Sequence, residues 1–173
     1  MNIIFETPRL LLRQFTLADA GLLLQLNSDP EVLKYLHEPL LQDEAHAKEI
    51  MAKIIFPQYE KGLGRWATFI KENNQFIGWC GLKYLPERDE IDLGYRFIKT
   101  AWGFGYASEA AAKTIEYGFN HLHLKTITGR AHIENLGSLK VLEKIGMQYV
   151  SEGIVDDCPV KTFIAVNRNN SEL

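Results

Sequence analysis

Hydrophobic positions along the chain recur with two periods, and the switches between them mark out the elements. Residues 9–15 (Arg-Leu-Leu-Leu-Arg-Gln-Phe) read as a strand. Thr16 with Asp19 three positions on has the form of a capping box, and leucines follow at helical spacing to about Asn27. Asp29-Pro30 can open a short helix, because proline suits a first helical position. Residues 42–60 predict a longer helix with Ala45, Ile50, Met51, Ile54 and Ile55 on its apolar side, which Pro57 should kink or end.

Strands then dominate. Residues 65–72 and 75–84 flank Asn73-Asn74 and predict a hairpin. After a polar turn at 86–89, residues 90–99 alternate strictly. Ile91, Leu93, Tyr95 and Phe97 fall on one side, and Glu90, Asp92, Gly94 and Arg96 on the other. A glycine-rich turn leads into a helix over 106–122, with Ala107, Ala110, Ala111, Ile115, Gly118, Phe119 and Leu122 at a period near 3.6. Residues 126–133 are a further strand. Asn135 can cap a helix carrying Leu139, Leu142 and Ile145, and Gly146 suits the left-handed position that ends it. Residues 148–155 and 160–166 make a last strand pair around Asp156-Asp157-Cys158-Pro159. The order βααβββαβαββ predicts an α/β (α+β) fold with one central sheet.

Composition narrows the function classes without choosing one. The 173 residues fit a single domain over 1–173, with 46% hydrophobic residues and a net charge of −3. No basic stripe points to nucleic acid, and no run approaches the ~20 apolar residues of a membrane span. Two cysteines, Cys80 and Cys158, are too few and too far apart for a disulfide framework. Cys80, in a strand-like stretch, reads as a small buried hydrophobe. No cluster of His, Cys and acids has metal-ligand spacing, so no metal is expected. The N-terminal residues lack the pattern of a signal peptide, and a cytoplasmic location is expected.

The chemistry is concentrated in residues 97–111. A strand enters Trp102-Gly103-Phe104-Gly105 and passes directly into a helix of small residues. The first N–H groups of a helix have no internal acceptor, and the helix dipole adds partial positive charge there. Glycines without Cβ let a bulky anion approach the backbone, so the turn is a phosphate site that needs no lysine. It lacks the Gly-Lys-Ser/Thr of a P-loop. It also lacks the third glycine of a dinucleotide fingerprint, whose place is held by Ser108, and the acid that should follow ~20 residues on. The pyrophosphate of coenzyme A remains, beside the plainer reading of a glycine turn feeding a helix. One strand later comes Asn135-Leu-Gly-Ser-Leu-Lys-Val-Leu-Glu-Lys-Ile-Gly-Met.

These blocks resemble the GNAT superfamily of N-acetyltransferases, closest to the branch with the ribosomal-protein N-terminal (alanine) acetyltransferases. The matching blocks run in order from residue 6 to about 150. They are Glu6-Thr-Pro-Arg-Leu-Leu-Leu-Arg, Ile77-Gly, Leu93-Gly-Tyr, Trp102-Gly-Phe-Gly-Tyr-Ala-Ser-Glu-Ala, and the Asn135 segment through Met147. The resemblance implies a mostly antiparallel mixed sheet of about seven strands with splayed middle strands, and about four helices. It implies acetyl-CoA as cosubstrate, its pantetheine arm along Phe97 and Ile98. Its pyrophosphate would lie on the turn of Trp102, Gly103, Phe104, Gly105, Tyr106, Ala107 and Ser108, with Asn135 and Ser138 beside the arm. The pattern departs at Thr100, where the superfamily often has Gln or Arg.

The implied reaction is direct attack of a neutral amine on the thioester. The resemblance implies that Ser138 serves the leaving sulfur as general acid. The tyrosine that many superfamily members use further down this helix falls at Leu142. For the base, Glu90, Asp92 and His132 are candidates, and Asn135 completes the expected catalytic group. Trp66, Trp79, Trp102 and Tyr95 are expected as core or pocket wall. The connection through Tyr35-Leu36-His37-Glu38 and the turn at Asp156-Asp157 are expected to shape the amine pocket, their acids suiting a cationic acceptor. The expected partner is that amine acceptor, a protein N-terminus or a small molecule, with no nucleic acid and no membrane. The oligomeric state, monomer or homodimer, is left open. An acyl-CoA-binding module without turnover and a dinucleotide-dependent oxidoreductase are the alternatives.

Overall fold

Thr7 and Pro8 turn the chain back on itself, with the Thr7 N–H bonded to the Leu10 carbonyl at 2.9 Å. The first strand expected from the sequence is therefore the second. A computed structural model describes residues 1–170. Its strands are β1 (Ile3–Glu6), β2 (Leu10–Gln14), β3 (Gly64–Ile70), β4 (Gln75–Leu85), β5 (Glu90–Phe97), β6 (Thr126–His132), β7 (Gln148–Val155) and β8 (Cys158–Val166). They form one eight-stranded sheet in the order β1-β2-β3-β4-β5-β6-β8-β7. Every neighbouring pair is antiparallel except β5 and β6. The β7–β8 hairpin turns on Asp156 (φ 50°) and Asp157 (φ 63°). Two central residues at positive φ match the twist of the strands they join, and aspartate tolerates that conformation.

The helices are α1 (Ala20–Asn27), α2 (Glu44–Ile50), α3 (Phe56–Tyr59), α4 (Tyr106–Asn120) and α5 (Leu136–Lys144). Between α2 and α3, residues Met51–Ile55 form a π-turn in which the Phe56 N–H bonds the Met51 carbonyl. Pro57, at the start of α3, has no N–H to give, and the wider turn carries the helix past that missing bond. The helix expected at Asp29-Pro30 is only a series of turns. The Asp29 side chain takes the Glu31 N–H at 2.9 Å, a local bond that competes with helical pairing.

α4 and α5 cover one sheet face, over a core that includes Trp66, Cys80, Leu82, Leu93, Phe97, Ile127 and Leu142. α1 to α3 cover part of the other, over Ala67, Phe69 and Trp79. The alternation expected in β5 is kept: Leu93 and Phe97 enter the first core, and Asp92, Gly94 and Arg96 face the other way. Toward β5 and β6 that second face is met by the connection after α1, whose Tyr35 lies against His132 and whose Glu38 pairs with Arg96. Cys80 is fully buried with its Sγ 3.3 Å from the Thr114 hydroxyl, and burial pushes its thiol up to about 12. It is an inert core residue, as expected. No helix among the described residues is long and apolar enough to cross a membrane.

Candidate active site

β5 and β6 pair at only two positions, Asp92 with Thr128 and Leu93 with Gly129, and then separate. Beyond Leu93 the β5 edge faces a gap. Alternate residues of a strand turn their backbone groups to the same neighbour. Ile98 donates its N–H to Ile77 of β4 at 2.8 Å, so Tyr95 and Phe97 face the gap. The Phe97 carbonyl is taken by the Trp102 indole N–H at 2.8 Å, which pins the following turn to the strand.

At the far end of the gap the chain makes the glycine turn. Gly103 (φ 86°) and Gly105 (φ 81°) both adopt the left-handed conformation that L side chains resist. Gly105 is the N-cap of α4, and the first helical bond runs from the Glu109 N–H to its carbonyl at 3.1 Å. The N–H groups ahead of it, on Tyr106, Ala107 and Ser108, have no helical acceptor. Arg9 braces the turn, an element that residue types alone did not single out. Its Nη1 donates to the Phe104 carbonyl (2.9 Å), its Nε to Glu109 (2.7 Å), and its guanidinium lies 4.6 Å over the Tyr106 ring. Glu109 also accepts from the Thr7 hydroxyl (2.7 Å) and the Arg9 backbone N–H (3.0 Å), so its carboxylate is tied to the β1–β2 connection. Open N–H groups, two glycines and a neighbouring guanidinium fit a pyrophosphate.

On the α5 side of the gap, the Asn135 side chain accepts the Ser138 N–H at 3.2 Å and caps the helix. Its oxygen is thereby fixed and its amide N–H₂ is left to donate. Ser138 Oγ lies 2.8 Å from the Tyr95 hydroxyl, whose single proton can go to that oxygen or to the Ser138 carbonyl at 3.2 Å. Tyr95 is thus more than pocket wall: it brings a phenol from β5 to the serine. Burial raises its pKa, so it is a neutral donor. Leu142, where a tyrosine stands in many relatives of the superfamily, is buried in the core.

On the opposite face, β5 presents Glu90 and Asp92. Glu90 is held by Arg130 of β6 in a two-pronged bond (2.8 and 2.9 Å), which lowers its pKa. Asp92 is 3.9 Å from the same guanidinium. Burial pushes its carboxyl up to about 7; Arg130 opposes the rise and Glu90 adds to it. His132 stacks against Tyr35 at 5.3 Å and accepts the Glu134 N–H on Nδ1 at 3.1 Å. Glu38 is paired with Arg96 (3.1 Å) and Asp156 with Arg88 (3.3 Å). Two of the acids expected to receive a cationic acceptor are therefore already engaged, while Asp157 has no ion pair among the described residues.

Comparison with known proteins gives the family and the fold. The family model described as the acetyltransferase (GNAT) domain matches residues 9–148. The uncharacterized N-acetyltransferase p20 of Bacillus licheniformis is 36% identical over 152 residues, 87% of this chain and 84% of that protein. A GNAT-family acetyltransferase from Bacillus anthracis has the same fold, with a TM-score of 0.80 and 26% identity over 96% of this chain and 99% of its own. The spermidine N-acetyltransferase from Vibrio cholerae, solved with CoA and spermine, superposes with a TM-score of 0.78 at 17% identity, covering 93% of this chain and 97% of that one. The chain belongs to the GNAT acetyltransferases and is an N-acetyltransferase of that family, whose cosubstrate is acetyl-CoA.

Proposed function

We propose that this enzyme transfers an acetyl group from acetyl-CoA to a primary amine by direct attack, in the cytoplasm. The observation that carries the reading is the two-sided gap. The Ser138–Tyr95 hydroxyl pair lies on one sheet face and Asp92 on the other, with the open edge of β5 between them. Acetyl-CoA supplies the activated acyl group and a thiolate leaving group. Phe97 and Tyr95 align the arm through backbone groups, Asn135 donates its side-chain amide, and the turn from Trp102 to Ser108 holds the pyrophosphate. Alignment of two reactants in this way removes much of the entropic barrier. Asp92 takes a proton from the acceptor ammonium directly or through one water. Ser138, backed by the Tyr95 phenol, hydrogen-bonds the departing sulfur.

Thermal unfolding tests the cosubstrate. Acetyl-CoA or CoA at ~100 times its Kd should raise Tm by about 5–10 °C, and NAD or ATP should leave it unchanged. Gly105→Val places a β-branched residue at φ 81°. It should abolish most of that rise while the Tm without ligand falls by only a few degrees. A full rise in the variant would show that the turn does not hold the cosubstrate.

Glu90 enters this scheme as a positioning residue. Its bond to Arg130 keeps that guanidinium 3.9 Å from Asp92, and its own charge raises the Asp92 pKa. Glu90→Gln releases Arg130 to Asp92 and removes a negative neighbour. Both changes lower the Asp92 pKa, so the acid limb of kcat/KM should move to lower pH. A limb that stays in place would separate Glu90 from the chemistry.

A further inference from the structure

Two cations on the Asp92 face of the sheet lack a direct bond to any acid. Arg65 of β3 and Lys83 of β4 make no side-chain hydrogen bond or ion pair with any described residue. The guanidinium of Arg65 lies 4.6 Å from the Trp79 ring. Burial and the charge of Arg96 bring its pKa down to about 10, and burial and Arg65 lower that of Lys83. Arg96 shares the face but is engaged by Asn27 (2.8 Å) and Glu38 (3.1 Å). Asp92 and Glu38 act on both cations through space, yet neither carboxylate bonds them, and cations held in this way are stabilised by an arriving anion that does.

The register places these groups around one small cleft. Arg65 lies opposite Gly81, Gly81 opposite Gly94, and Lys83 opposite Asp92. The paired glycines leave the floor bare. The Trp79 ring closes one end so tightly that a Cβ on Gly94 would sit 3.2 Å from it. The cleft has a volume of about 30 Å³ and is lined by Arg65, Trp79, Lys83 and Asp92 over that floor. Gly94 is the first β5 residue beyond the pairing with β6, so the cleft opens into the gap on the face of Asp92.

Resting on the N-acetyltransferase reading, we infer that the acceptor is an amine with a carboxylate a few bonds away, a free amino acid. Arg65 and Lys83 receive the carboxylate and leave the ammonium beside Asp92. A polyamine would instead bring further positive charge against Arg65, Lys83 and Arg96. A carboxylate on the acyl group is the other source of the same chemistry. The base beside the cleft favours the acceptor.

The test is thiol release with acetyl-CoA and a panel of amino acids, their amides and spermidine. The preferred amino acid should exceed its amide in kcat/KM by about 10- to 100-fold. Arg65→Gln should bring that ratio close to one and Lys83→Met should reduce it. Both should keep the thermal shift with CoA, which shows that they fold. Preference for amides or spermidine, or a ratio that survives both substitutions, overturns the proposal. So does turnover of no amino acid while the CoA shift is intact. If Arg65→Gln selectively removes use of succinyl-CoA instead, the anion belongs to the donor and the acceptor assignment fails. Absence of any CoA shift in the unsubstituted enzyme is a separate result, which sinks the acetyl-CoA reading itself.

Discussion

Asp92→Asn should lower kcat/KM by about 100-fold at pH 8 and remove its acid limb. The sign follows from the titration. The carboxyl is pushed up to about 7 by burial, so the form able to accept a proton predominates only above that pH. The groups facing it are Glu90 on its own strand, Lys83 on β4, Arg65 on β3 and Arg130 on β6. Activity of the unsubstituted enzyme should therefore fall as pH drops through about 7. Stability runs the other way. A carboxyl whose folded pKa exceeds its unfolded value binds more protons when folded. Its ionisation therefore costs stability as pH rises from the unfolded value to the folded one. Asparagine carries no such cost, so Asp92→Asn should raise Tm at pH 8 while it disables the enzyme. The opposed changes separate a lost base from a damaged fold. Unchanged kcat/KM would move the base elsewhere, with His132 the next residue to replace.

What could be read from the sequence was what local chemistry dictates. The glycines of the turn, the Asn135 cap and the left-handed Gly146 (φ 87°) act within a few residues of themselves, and each stands where its spacing places it. β1 escaped because four residues ahead of a Thr-Pro turn are too short to show a period, and only pairing with β2 makes them a strand. The Tyr95–Ser138 pair and the Arg65–Lys83–Asp92 cleft depend on register across strands and on the placing of α5 against β5. Alternation assigned Asp92 and Tyr95 to opposite faces but said nothing of their neighbours. Glu90 and Asp92 were equivalent on the strand. They are told apart by Arg130, forty residues away from Glu90 in the chain, which holds one carboxylate and only approaches the other.

Ser138→Ala should lower kcat by about 10- to 100-fold with little change in the affinity for acetyl-CoA. The fold should tolerate it. Once Oγ is gone, the buried Tyr95 hydroxyl still has the carbonyl of residue 138 to donate to, now 3.2 Å away, so no polar group is stranded. Tyr95→Phe should cost a similar factor in kcat. It leaves Oγ without the phenol that lies 2.8 Å from it. A serine hydroxyl is a poor acid by itself, and its value here lies in being polarised by a second donor. Two groups that act as one should not lose activity twice. The double variant should be no slower than the slower single variant. If the two losses multiply instead, serine and tyrosine act independently. If Ser138→Ala leaves kcat intact, the hydroxyl pair is a helix-docking contact, and the sulfur must leave through solvent or through the donor amide of Asn135.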